Sequence, residues 1–332
     1  MRDWIRNESN LGAEGATVTI EGVQKLEQLQ AAIGSVVKGK DETVRLALVA
    51  LLGRGHLLIE DVPGIGKTTL ANALARCLDL SFQRIQFTSD LLPSDVIGVS
   101  VFNQQSGEFE WKPGPIFSNI VLADEINRAT PKTQSSLLEA MAEEQVTVEG
   151  KTRMLPLPFM VVATQNPTEH HGTYPLPESQ LDRFMLRLHM GYPSNDDERS
   201  ILRDRETRDP LDYLEPVMAE SEILELQEMA KAVKVDEALV TYLLNIVEMT
   251  RTSPSVELGA SPRGSLSLFQ SAQALALLEG RDYCIADDIK RLVIPCFAHR
   301  LIVSTQYTKI TNRTNEAEQI LKEILTKVPV PV

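Results

Sequence analysis

Cysteine is scarce in this chain, aromatic residues are few, and no long apolar run occurs. The three cysteines, Cys77, Cys284 and Cys296, are scattered and form no C-x-x-C pair. They read as small buried apolar residues kept reduced rather than as a disulfide framework or a thiolate metal site. No apolar stretch approaches membrane-spanning length, and the opening Met1-Arg2-Asp3-Trp4-Ile5-Arg6 lacks the apolar centre of a signal peptide. A cytoplasmic protein with no membrane span is the expectation. Positive charge is short as well: 33 Lys and Arg stand against 46 Asp and Glu, a net −13. No Lys/Arg-rich run appears, so nucleic acid is an unlikely partner. Aromatics are only 5%, yet 43% hydrophobic and 24% charged residues over 332 positions suffice for two domains with cores.

What is present is a phosphate cradle. Leu57-Leu58-Ile59 reads as a buried parallel strand, and Thr68-Thr69-Leu70-Ala71-Asn72-Ala73-Leu74-Ala75 as a helix. Between them lies a loop containing Pro63, Gly64, Ile65 and Gly66 and ending Gly66-Lys67-Thr68. In such a loop the backbone N–H groups face inward and the helix N-terminus favours an anion. The Lys67 ammonium can then reach the β- and γ-phosphates, and the Thr68 hydroxyl can ligate Mg²⁺. ATP with Mg²⁺ is therefore the expected ligand, bound along Pro63 to Thr69. An ordinary strand–turn–helix is the competing reading. The first glycine of the usual G-x-x-x-x-G-K-[ST] pattern is Asp61 here, which leaves the start of the loop open.

Downstream, the apolar run Asn119-Ile120-Val121-Leu122-Ala123 ends in Asp124-Glu125. Ligands of open parallel sheets bind at that end of a strand. Asp124 can hold Mg²⁺, often through water, and Glu125 can take a proton from attacking water. The plainer alternative is an acid capping the next helix. Asn166 ends a third apolar strand, Phe159 to Gln165, where its amide could orient water or the γ-phosphate; Asn-Pro is also a common turn pair. Arg183 lies at the end of a short helix, Pro177 to Leu181, and Arg263 opens a helix after Pro262. Either is a surface ion-pair residue or a phosphate contact. The adjacent His170-His171 lacks the spacing of metal ligands and reads as a loop feature.

Along the chain, residues 1–18 are polar and unpatterned, an N-terminal arm that orders only if docked. Helical spacing covers Val23 to Ile33, and Asp41 is the expected cap of a second helix reaching Gly53. Phe82 to Phe87 alternates like a strand. Two hairpins, about Asn103–Gly107 and about Glu149–Gly150, interrupt the α/β pattern. Phe184 to Met190 reads as a last strand, and everything after Gly191-Tyr192-Pro193-Ser194-Asn195 as helix. The division is an arm at 1–18, an α/β nucleotide-binding domain at 19–193 with two inserted hairpins, and a helical domain at 194–332.

The order of these motifs resembles the AAA+ ATPases, and within them the MoxR family, over nearly the whole chain from about Val23 to Val328. The resemblance rests on Gly55-His56-Leu57-Leu58-Ile59-Glu60-Asp61-Val62-Pro63-Gly64, Ala123-Asp124-Glu125-Ile126-Asn127-Arg128-Ala129, Ala163-Thr164-Gln165-Asn166-Pro167, Leu181-Asp182-Arg183-Phe184 and Ser261-Pro262-Arg263-Gly264. It implies an α/β fold of the AAA+ P-loop NTPase type, a parallel sheet sandwiched by helices with a C-terminal helical lid. Lys67 and Thr68 would be the Walker A pair and Asp124 and Glu125 the Walker B pair. Asn166 would be sensor 1, Arg183 a finger supplied to a neighbour's site, and Arg263 sensor 2, through which the lid closes on the nucleotide. Val37 and Gly39 fall in the segment expected against the adenine. The hairpins are similar to insertions that line the central pore of related rings. Family members assemble as rings, typically hexamers, and are similar to chaperones that remodel partner proteins. Many act with von Willebrand factor A domain proteins, sometimes in metal-cofactor insertion. A nucleic-acid motor or helicase loader, and a nucleotide-gated scaffold with little hydrolysis, are the alternatives.

Overall fold

The computed structural model describes residues 20–166, 172–206, 209–304 and 313–331. The arm expected over residues 1–18 and the His170-His171 pair lie outside the described residues. Helices α1 (Ile20–Val36) and α2 (Asp41–Leu52) precede β1 (Leu57–Glu60). Asp41 begins α2 rather than capping it: Lys40 is the N-cap and no side chain bonds there. Asp41 and Glu42 instead sit in the first turn, where their charge complements the positive end of the helix dipole. Next come α3 (Lys67–Cys77), β2 (Phe82–Gln86), α4 (Pro93–Ile97), the hairpin β3 (Gly98–Asn103) and β4 (Glu108–Pro113), and β5 (Ile120–Asp124). The α/β part ends with α5 (Pro131–Glu143), the hairpin β6 (Gln145–Val148) and β7 (Lys151–Met154), β8 (Met160–Gln165), α6 (Glu178–Leu181) and β9 (Leu186–Leu188).

Five strands form one parallel sheet in the order β2-β5-β8-β1-β9. Successive residues of its inner strands serve opposite cores. Leu57, Ile59, Ile120, Leu122, Met160 and Val162 join the core on one face. Leu58, Val121, Ala123, Val161 and Ala163 join the core on the other. Burial on both faces is why these strands read as unbroken apolar runs. The edge strand β2 is less covered: Phe82 packs toward one core and Ile85 joins the other, while Gln83, Arg84 and Gln86 are exposed. One face packs against α5, the other against α1, α2 and α3. Asp124 and Gln165 thus end adjacent strands of the sheet, at the edge where the loop after β1 also begins.

The remaining elements are α7 (Asn195–Asp204), α8 (Glu220–Ala232), α9 (Glu237–Thr252), β10 (Val256–Leu258), α10 (Pro262–Leu278), α11 (Ala286–Phe297), β11 (Ile302–Val303) and α12 (Arg313–Lys327). The expectation of helix alone in this region is corrected by the small antiparallel pair β10–β11. Strands of three and two residues are too short to carry a readable period. The apolar faces of these helices, including Ile223, Ile246, Leu268, Leu292 and Leu321, belong to the same core as Leu57 and Ile59. Helix α2 stands between the two groups, buried from Thr43 to Leu52 except at Arg45. Among the described residues no helix is long and apolar enough to cross a membrane. All three cysteines are buried and unpaired.

The hairpins are joined to each other. The Arg153 guanidinium stacks 4.0 Å over the Trp111 ring, and Ser100 Oγ donates to Glu149 Oε2 at 2.6 Å. The first hairpin exposes apolar side chains, with Phe102 and Phe109 paired edge to face at 5.3 Å and Phe109 73% exposed.

Candidate functional site

The loop after β1 takes its shape from two residues with positive φ, Gly64 at 84° and Gly66 at 98°. A Cβ on Gly64 would meet nothing within 4 Å, so the backbone angle and not space demands glycine there. Gly66 is the N-cap of α3, with no side-chain cap and no acid in the first turn. The orphan N–H groups of that turn, with the helix dipole behind them, are left for an anion. Lys67 Nζ donates to the Asp61 carbonyl at 2.7 Å. Burial pulls the Lys67 ammonium below the ordinary lysine range, against the opposing pull of Asp124, Asp61 and Glu125.

Asp61, where the usual pattern has glycine, is explained by its acceptors. Its Oδ1 takes the Val62 N–H at 2.9 Å, and its Oδ2 takes those of Met190 at 2.8 Å and Gly191 at 2.6 Å. The carboxylate therefore staples the start of the loop to the segment that leaves β9 toward α7. Glycine would leave three backbone donors without this acceptor.

Pro63, Gly64, Gly66, Lys67, Thr68 and Thr69 line one side of a cavity of about 340 Å³; Asp124, Glu125 and Asn166 line the other. Three further residues complete it that sequence reasoning missed: Arg84, Gln86 and Arg205. Arg84 donates twice to Asp124 Oδ2, at 3.1 and 2.6 Å. Gln86 Nε2 and Arg128 Nη1 both reach Glu125 Oε2 at 2.8 Å. The signal for Arg84 and Gln86 was the alternation of β2, which sets both on one face beside β5. Buried Thr164 binds both acids: its hydroxyl donates to Asp124 Oδ1 at 2.6 Å and accepts the Glu125 N–H at 2.9 Å. Thr68 and Asp124 present hard oxygen donors to one space, which suits Mg²⁺ shared with phosphates. Among the described residues no group of three or more His, Cys, Asp or Glu could hold a metal by itself.

A smaller cavity of about 130 Å³ adjoins the first, sharing Gly64, Gly66, Thr69 and Arg205. Val36, Val37, Ile65, Pro193, Ile201 and Pro210 give it apolar walls suited to a flat base. Gly39 lies between two lining residues, Lys38 and Lys40, at φ 67°. A Cβ there would come within 2.1 Å of the Asp197 carboxylate, so α7 can approach only a glycine. Lys38 pairs with Asp204 at 3.1 Å, and Lys40 Nζ donates to the Tyr192 carbonyl at 2.8 Å.

Arg183 and Arg263 line neither cavity. Arg183 Nη1 donates to the Leu138 carbonyl at 2.5 Å, while its Nε is buried with no hydrogen-bond partner. Arg263 is exposed at the start of α10, next to the cap Ser261, whose hydroxyl bonds the Asp182 carboxylate at 2.9 and 3.0 Å. Arg263, expected as a lid contact to the nucleotide, thus stands outside both cavities of its own chain. Helix α10 begins against the turn that carries Arg183, and the helical part packs on the sheet through α2.

Residues 56–186 match the profile of the ATPase family associated with various cellular activities (AAA), and residues 248–324 that of an AAA lid domain. The chain is 52% identical over 300 residues to "Uncharacterized protein YeaC" of Bacillus subtilis (strain 168), covering 90% of this chain and 93% of that one. It is 40% identical to "Chaperone MoxR1" of Mycobacterium tuberculosis, over 96% of this chain and 85% of the other. The crystal structure of a candidate ATPase from Cytophaga hutchinsonii superposes with a TM-score of 0.86 at 38% identity, covering 95% and 97% of the two chains. With its parallel sheet, helical lid and phosphate loop, the chain belongs to the MoxR family of AAA+ ATPases.

Proposed function

We propose that this protein hydrolyses ATP as a ring, through one pocket per chain completed by an arginine of the neighbour, and that the cycle remodels or activates a partner protein. The observation that carries the reading is the meeting of Lys67, Thr68, Asp124, Glu125 and Asn166 around a single cavity. Lys67 and the first-turn N–H groups of α3 bind the phosphates. Magnesium, held by Thr68 and Asp124, would neutralise charge on the phosphate oxygens. Glu125 takes the proton of the attacking water, and Asn166 orients it.

Arg183 is the finger given to the next subunit's nucleotide. Its absence from its own cavity and its partnerless Nε support that role. Arg263, beside the same turn, serves the same neighbour. A hexamer is the expected ring. Client contact is assigned to the joined hairpins, whose exposed Phe102 and Phe109 suit apolar segments of a partner protein. A von Willebrand factor A domain protein is the proposed class of client, acting in the cytoplasm.

Glu125→Gln tests the chemistry, since glutamine keeps the shape but cannot accept a proton at neutral pH. ATP affinity should stay at the wild-type value while kcat falls by about 100-fold or more. Wild-type turnover would contradict the proposal. The same variant, loaded with ATP, is the bait for the client.

A further inference from the structure

The residues on either side of Arg183 are held by a single guanidinium from the lid. Arg300 follows α11 and is 4% exposed. Its Nε donates to Asp182 Oδ1 at 2.9 Å, and its terminal nitrogens reach the carbonyls of Asp182 at 3.3 Å, Phe184 at 2.8 Å and Met185 at 3.2 Å. The same nitrogens also bond Ser267 Oγ at 3.0 Å and the Cys296 carbonyl, both within the lid. From the other side, Ser261 Oγ donates to the Asp182 carboxylate while capping α10 through the Gly264 N–H at 3.0 Å. A Cβ on Gly264 would stand 3.2 Å from Arg300 Cδ, so the first turn of α10 packs directly on this arginine. His299 Nε2 adds a bond to the Phe184 carbonyl at 3.0 Å.

A guanidinium so buried is costly to keep unless its donors are satisfied. Here much of that satisfaction is spent outside the lid, on the carbonyls at 182, 184 and 185. Lysine could not replace it, because its three donors sit on one nitrogen and cannot span acceptors that the planar fork reaches from three. The Arg183 side chain makes one hydrogen bond within its own chain, to the Leu138 carbonyl. Its direction therefore depends on the turn that carries it as well as on that one contact.

We propose that Arg300, acting through Asp182 and Ser261, is the positioning residue of the Arg183 finger, so that lid and finger reach the neighbouring subunit as one body. The proposal rests on the reading that Arg183 acts on a nucleotide. Arg263, two residues from Ser261, is carried by the same body, so the lid's placement sets two cations at once.

The test is a four-protein cycle of wild type, Arg183→Ala, Asp182→Ala and the double variant, with phosphate release followed from γ-labelled ATP. Asp182→Ala should lower kcat by about 10- to 100-fold with ATP affinity unchanged. On the Arg183→Ala background it should cost less than about 2-fold, because a residue acting through another has nothing left to position. Asp182→Asn, which keeps an Oδ1 acceptor for Arg300 and Ser261, should restore most of the turnover. If Asp182→Ala does not fold, Ser261→Ala takes its place in the cycle. An equal loss on both backgrounds, or no loss on the wild-type one, overturns the positioning role while leaving the finger intact. Wild-type turnover by Arg183→Ala would instead remove the finger, and this proposal with it.

Discussion

The backbone at Glu125 takes φ 57°, a left-handed conformation few side chains other than glycine adopt. Its N–H is held there by the Thr164 hydroxyl, which at the same time orients Asp124. One buried hydroxyl thus fixes the proposed base and the proposed metal ligand relative to each other. Thr164→Val keeps the shape but strands a donor on Glu125 and an acceptor on Asp124. It should lower kcat by about 10-fold or more, with Thr164→Ser recovering most of it in steady-state assays. An unchanged kcat in the valine variant would show that the acids hold their places without it. Asp124 and Glu125 were legible as two acids closing an apolar run, and Lys67 and Thr68 as the end of a glycine loop. Thr164 was not, because a threonine in Val161-Val162-Ala163-Thr164 is also an ordinary β-branched strand residue. Asp61 looked like a departure from the pattern; only the chain returning at Met190 and Gly191 shows what its carboxylate bonds.

Between elements, His56 is a tie exposed to pH. It precedes β1, its Nε2 donates to the Met141 carbonyl of α5 at 3.0 Å, and its Nδ1 accepts the Val161 N–H of β8 at 3.0 Å. Burial lowers its pKa from 6.5 to about 4. The unfolded chain therefore binds this proton at pH 6.5, the folded one not until about pH 4. Stability should be indifferent to this group above about pH 7 and should fall as pH drops from 6.5, losing about 3 kcal/mol by pH 4. His299 is depressed by burial too and pushes the same way. Urea unfolding at pH 7 and pH 4.5 should show a smaller acid loss in His56→Gln than in wild type; equal losses would clear His56 of the effect. The strands, the hairpins and the long helices were legible from period and punctuation. The β10–β11 pair was not, and Phe184–Met190 gives only the three-residue β9, because Phe184, Met185 and Met190 are buried without pairing in the sheet.

For the whole molecule, the order of motifs was enough to read the architecture, but not the direction in which the lid faces. Arg263 could be read as a lid cation; where α10 begins depends on Arg300 and Ser261 gripping Asp182, contacts more than 75 residues apart in sequence. The phosphate cavity and the two arginines, Arg183 and Arg263, occupy different places in the chain, the arrangement that the proposed trans finger requires. The most direct measurement mixes two inactive variants, Lys67→Ala, which keeps the finger but cannot bind the phosphates, and Arg183→Ala, which keeps the pocket but lacks the finger. A trans finger is worth about 10³–10⁵ in rate, so each variant alone should be nearly silent, and turnover should return in proportion to the mixed rings formed. If mixed rings form and no turnover returns, or if dilute monomeric wild type hydrolyses ATP at the full rate, the site is complete within one chain and the account is wrong.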